Sequence, residues 1–360
     1  MIEFIPLKEY QNVYLNLTLL ILLFTIVHSL LLKVYDNKNI SYLRNMGYLI
    51  LVILTLYMGL RPVSGRYFTD MITYARHFER YAYGGNIISE KDIFFHYFMK
   101  FCSSILSIHN FFLVCAILYV YPMYRISKRF FKEYWFYAFF MFIASFSFWT
   151  YGVNGIRNGI ATSIFLWALS YQNDKKKMIA ISIIAVLFHK SLLLPIFAYI
   201  VTFFYNKPKG YLLGWLFAIP LSIALGGFWE SLFTSIGFGD GRLGGYLSGS
   251  AEESGGFRFD FLLYSAAAVF AGWYYIFKKK FNDKIYIQLF NTYLITNAFW
   301  VLVIRASFSN RFAYLSWFLM AIVIIYPLLK QLMFKNQNLI IARVLFLYFS
   351  FTYFMFVFYY

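Results

Sequence analysis

Residues 110–150 read NFFLVCAILYVYPMYRISKRFFKEYWFYAFFMFIASFSFWT. Two apolar runs, 110–126 and 133–150, flank a short connection that carries Arg125, Lys128, Arg129 and Lys132. A helix needs roughly 20 apolar residues to cross the hydrocarbon core of a bilayer, where backbone groups can pair only within a helix or a closed barrel. The stretch therefore reads as two membrane crossings joined by a basic turn.

The same alternation runs outward along the chain. Apolar spans fall near 13–32, 46–60, 110–126, 133–150, 156–172, 178–189, 191–205, 211–229, 259–277, 285–304, 312–329 and 338–358. Alternate connections are basic: Lys33, Lys38 and Arg44; Arg125 to Lys132; Lys175 to Lys177; Lys207 and Lys209; Lys278 to Lys280 with Lys284; and Lys330, Lys335 and Arg343. Cytoplasmic loops collect such residues. The expectation is an all-α polytopic integral membrane protein, a single domain over 1–360 with about 12 transmembrane helices and both termini outside. The six inner connections hold 19 of the 32 Lys and Arg but only four of the 15 acids, so the formal charge of +17 is mostly an orientation signal.

With 61% hydrophobic and 13% charged residues, the composition excludes a water-soluble domain, which carries about 25% charge. The bases lie between apolar runs, so no nucleic acid partner is expected. Cys102 and Cys115 make no metal-ligand spacing. The first apolar run has no small-residue cleavage site and reads as a retained anchor rather than a signal peptide.

Three segments depart from plain crossings. Residues 61–109 read as an outer loop with an interfacial or re-entrant helix, because 91–107 is only moderately apolar and carries Lys91, Asp92, His96 and Lys100. Residues 178–205 are long for one crossing and short for two, which points to a short helical hairpin with His189, Lys190 and Ser191 at a recessed tip and Pro195 beyond it. Residues 230–258 form a Gly-rich outer loop that lacks the Gly-Lys-Ser/Thr ending of a phosphate loop.

The remaining polar residues gather at outer ends: Arg61, Arg66 and Asp70; Arg157; His189 and Lys190; Arg305 and Arg311. A cation at membrane depth costs roughly 2.5–3.5 kcal/mol, so several retained together point to an anionic ligand. Arg61 and Arg305, at span edges, read equally as anchors that snorkel to the interface. In a helix Arg66, Asp70 and Tyr74 share a face, and an Asp beside an Arg stays ionised and can accept a proton. In Asn154-Gly155-Ile156-Arg157-Asn158-Gly159, free helix-start amides and an arginine suit a phosphate. His28, His96 and His109 read as structural.

Several of these elements resemble the EpsG family. The central signature is Arg157-Asn158-Gly159-Ile160-Ala161, the basic turn at Asp174 to Lys177, and Phe188-His189-Lys190-Ser191 with Pro195. Asp70 with Tyr74, and Ser309-Asn310-Arg311-Phe312, are weaker family features; Phe68 stands where members often carry Gly. The resemblance implies a polymerase that joins undecaprenyl-pyrophosphate-linked oligosaccharide repeat units into O-antigen, capsule or exopolysaccharide at the outer face of the bacterial cytoplasmic membrane. It implies an architecture similar to type C glycosyltransferases, neither cofactor nor metal, lipid-linked donor and acceptor as partners, and a chain-length regulator and a flippase of the same pathway. The site residues implied are Asp70 or His189 as base with Tyr74, and Arg157, Lys190, Arg311 and Arg66 on the diphosphate. A lipid-linked saccharide flippase, a polysaccharide ligase and an acyltransferase are the competing readings.

Overall fold

The protein is described by a computed structural model over residues 2–87, 92–233, 256–306 and 309–359. Most of the Gly-rich connection expected over 230–258 lies outside the described residues. Every regular element among the described residues is helical. Seven of these helices are long and apolar enough to cross a membrane, over Leu7–Leu31, Asn37–Gly59, Ile108–Ile143, Pro208–Trp229, Phe259–Lys278, Ser309–Lys330 and Gln337–Tyr359.

The chain divides into two compact units, Met1–Leu192 with Leu328–Tyr360, and Leu193–Pro327. The first is built from α1 (Tyr10–Leu31), α2 (Asn37–Gly59), α3 (Thr69–Ala82), α4 (Ile93–Ser103), α5 (Ile108–Phe131), α6 (Trp135–Ile143), α7 (Phe148–Val153), α8 (Ile156–Leu169) and α9 (Lys175–Phe188). A C-terminal helix, Gln337–Phe354, packs back on α1. At the centre α5 packs against α2 and α8, and α8 against α9. The expected 133–150 crossing is broken between α6 and α7, and the chain turns again at Asn154 and Gly155 into α8. A Cβ on Gly159 would stand 2.3 Å from the Tyr151 carbonyl oxygen, so only glycine lets α8 start this close to α7.

Helix faces follow the surroundings that their side chains demand. On α1, Leu20, Leu23, Phe24, Val27, Leu30 and Leu31 are exposed together, an apolar stripe that suits lipid. The hydroxyls of Thr18, Thr25 and Ser29 on the same helix return to the carbonyls of Tyr14, Ile21 and Thr25, which satisfies them without water. In contrast α3 is amphipathic, burying Met71, Tyr74, Ala75, Phe78 and Tyr81. It pairs with α4, which also rests on α9, so the 61–109 stretch contains two short helices.

The second unit begins with α10 (Leu193–Phe204) and α11 (Pro208–Phe233), the latter bent where Leu225 leaves helical geometry. It continues with α12 (Phe259–Trp273), α13 (Lys284–Leu302) and α14 (Ser309–Lys330). Its interior is tied by Asn297, which donates to Ser265 and Ser316 and accepts from the Trp215 indole at 2.7 Å. Trp317 donates to the same Ser265. Between α9 and α10 the chain makes a one-turn 3-10 segment at Lys190–Leu192, and Pro195 sits in the first turn of α10, where its missing N–H removes no helix bond.

Candidate functional site

Four segments of the first unit bring polar groups together: the middle of α3, the residue before α4, the start of α8 and the end of α9. Arg157 is the hub. It leaves the first turn of α8, donates from Nη1 to Asp92 Oδ2 at 2.9 Å, and donates from Nε to the Tyr74 hydroxyl at 3.3 Å. The His189 Nε2 lies 3.8 Å from the same Asp92 oxygen, and the Lys190 amide donates to Asp92 Oδ1 at 3.4 Å. The His189 Nδ1 contacts the Ser191 hydroxyl at 2.7 Å and accepts from the Ser191 amide at 3.3 Å, which leaves the Nε2 edge turned to Asp92.

The side chains of Arg157 and Asp92 are 20% and 10% exposed, so their attraction is far less screened than that of a surface pair. Burial pushes the Tyr74 phenol up, against the opposing pull of Arg157, so it stays a neutral hydroxyl near pH 7. Behind Tyr74, His96 accepts from or donates to the Tyr81 hydroxyl at 2.9 Å and meets the His77 ring edge to face. Burial, reinforced by the positive charge of Arg157, lowers His96 to about 4. His77 is lowered by burial together with Arg80 and Arg157. Both imidazoles are therefore neutral near pH 7, and Arg157 is the buried positive charge of the cluster, to which Lys190 adds its backbone amide.

A model of the EpsG family matches residues 46–360, which takes in all of these groups. The chain belongs to the EpsG family. The family makes it a membrane protein of the polysaccharide-polymerase type. No curated protein and no solved structure matches it.

Among the residues singled out in this EpsG protein, Tyr74, Arg157, His189 and Lys190 meet within one unit although up to 116 positions separate them. Asp70 stands one turn before Tyr74, partly exposed, with its charge acting on both Tyr74 and Arg157. Arg66 is exposed ahead of α3, over the ring of its neighbour Tyr67. Arg311 is exposed in the first turn of α14, in the second unit.

Arg61 and Arg305 serve packing. Arg61 is 1% exposed, donates to the carbonyls of Met58 and Val153, and lies between the rings of Phe68 and Phe112. It thus ties the end of α2 to the end of α7. Arg305 lies beside Gly226 at the bend of α11 and donates to the Ile223 carbonyl. Sequence reasoning passed over Asp92 as a site residue. The legible signal was an acid placed immediately before the apolar run 93–99, the position of a helix cap.

Proposed function

We propose that this protein is a polymerase that transfers a growing glycan from undecaprenyl pyrophosphate to the next lipid-linked repeat unit, at the outer face of the bacterial cytoplasmic membrane. The product is an O-antigen, capsule or exopolysaccharide chain. The observation that carries this reading is the convergence of Arg157, the Lys190 amide, His189 and Tyr74 at one partly exposed point in a family of polymerase type.

In the proposed reaction an acceptor hydroxyl attacks the anomeric carbon of the donor. The new C–O bond forms as the bond from that carbon to the diphosphate oxygen breaks, and the diphosphate leaves with the electron pair. Arg157 and Lys190, with Arg66, hold the diphosphate and neutralise the charge that grows on it. The hydroxyl proton passes to Asp70 or His189, with Tyr74 orienting the acceptor. The leaving group is already activated, so neither a nucleotide nor a metal is required. In this reading twelve crossings, arranged as in type C glycosyltransferases, present the site outward. The helices α8, α9 and α10, with 14, 14 and 12 residues, are about 21 Å long or less, shorter than the hydrocarbon core of a bilayer, which supports the reading of His189 at a recessed tip.

The test is to replace Asp70 and His189 singly by Ala and examine the glycan ladder from cells, alongside elongation of a lipid-diphosphate oligosaccharide by purified protein without nucleotide. Loss of long polymer with single-repeat glycan retained supports the polymerase. Polymer left unattached indicates a ligase, and loss of all exported glycan a flippase. An unchanged ladder in both variants would refute the assignment of these two residues.

A further inference from the structure

Asp92 behaves unlike an ordinary helix cap. An Asp at the start of a helix normally has extended backbone angles and accepts from an amide of the first turn. Asp92 instead has φ 47° and ψ 44°, in the left-handed region, and its side chain makes no capping hydrogen bond to α4. The carboxylate is turned away from its own helix toward the cationic cluster. There it takes Arg157 Nη1, the Lys190 amide and the edge of His189, the donors that a phosphate group entering the site would need. Only the contact to Arg157 is short; those at 3.4 and 3.8 Å are loose.

We propose that Asp92 sets the ligand selectivity of this cluster: it is a tethered anion that a lipid diphosphate displaces and a monoanionic phospholipid headgroup does not. This inference rests on the reading of Arg157 and Lys190 as diphosphate ligands. A membrane-embedded cation is surrounded by phosphodiester headgroups, which would occupy a bare Arg157. A monoanion that replaces Asp92 exchanges one negative charge for another and must outcompete a group held in place by the chain. A diphosphate brings at least one further charge and more acceptor oxygens, enough to engage Arg157 and the Lys190 amide together. Selectivity thus comes from an element set against the wrong ligand as well as from contacts to the right one.

The experiment is binding of undecaprenyl diphosphate, and separately of phosphatidylglycerol, to the purified full-length protein in nanodiscs. Asp92→Asn removes the charge and retains tolerance of the left-handed backbone; Asp92→Gly does the same with no side chain. Either variant is expected to bind undecaprenyl diphosphate about tenfold more tightly, the effect of losing one charge-assisted competitor. Phosphatidylglycerol offered alone should occupy the site in the variants and not in the wild type. Equal or weaker binding of the diphosphate in the variants overturns the inference, as does occupation by phosphatidylglycerol in the wild type, which needs no variant to fold. A wild type that binds the diphosphate no better than Arg157→Gln does would instead overturn the underlying diphosphate reading.

Discussion

Replacing Gly159 by Ala tests whether the α7–α8 corner sets the position of Arg157. The added Cβ would stand 2.3 Å from the Tyr151 carbonyl oxygen, 3.1 Å from its carbon and 3.2 Å from Tyr119 Cε2. Carbon-to-oxygen contacts settle near 3.3 Å, so the start of α8 must retreat by about 1 Å. The first obstacle is backbone, which cannot rotate away as a side-chain end could. Overpacking of this kind costs about 1–3 kcal/mol, and the gain in helix propensity from Gly to Ala returns up to about 1 kcal/mol. The net expectation is a destabilisation of about 1–2 kcal/mol. Arg157 lies two residues away, so the retreat also carries its guanidinium off Asp92 and Tyr74, and a displacement of about 1 Å at a reacting site lowers turnover by about 10²-fold. Thermal unfolding in detergent and the glycan ladder in cells measure the two effects. Gly214→Ala, on α11 with nothing within 4 Å of the added carbon, is the control and should leave the ladder unchanged and melting equal or slightly raised by helix propensity alone. A Gly159→Ala protein with wild-type melting and a full-length ladder would refute the argument that this close approach positions Arg157.

Two further outcomes follow from the same geometry. Arg61→Met keeps a stem of similar length and leaves the Met58 and Val153 carbonyls without their donor, so folded yield and melting temperature should fall, by about 2–4 kcal/mol in stability; unchanged melting would show that the tie between α2 and α7 is dispensable. His96, outside the membrane-spanning helices, is held at about 4 when folded and returns toward 6.5 when unfolded. Between those values the unfolded chain binds more protons, so stability is full above pH 6.5 and declines as pH falls toward 4. His96→Gln should flatten melting temperature across that window, and a wild type whose melting is flat there would contradict the burial of a neutral imidazole.

Much of the architecture was legible because membrane crossing is a one-dimensional constraint. Run length and loop charge can be read without knowing what packs on what, and α1, α2, α5, α11, α12, α14 and the C-terminal helix all occupy expected spans. Gly155 and Gly159 marked the turn into α8, and Arg157 and His189 stood out because polar residues are costly beside such runs. The role of Arg61 was not legible. At the edge of an apolar span it reads as a cation facing outward, whereas packing of Phe68 and Phe112 around it and two carbonyls in reach make it an interior tie.

The sequence by itself determined that the chain is helical and built for a membrane, to which family it belongs, and which cations stand apart from the basic connections. Those properties depend on local apolar length, charge and short motifs. Only the tertiary structure decided that Asp92 turns from its own helix to Arg157, 65 positions further on, and that His189 and Lys190 approach the same carboxylate from 97 and 98 positions away. Periodicity reports which face a helix presents; which distant charge meets that face depends on how α3, α4, α8 and α9 pack.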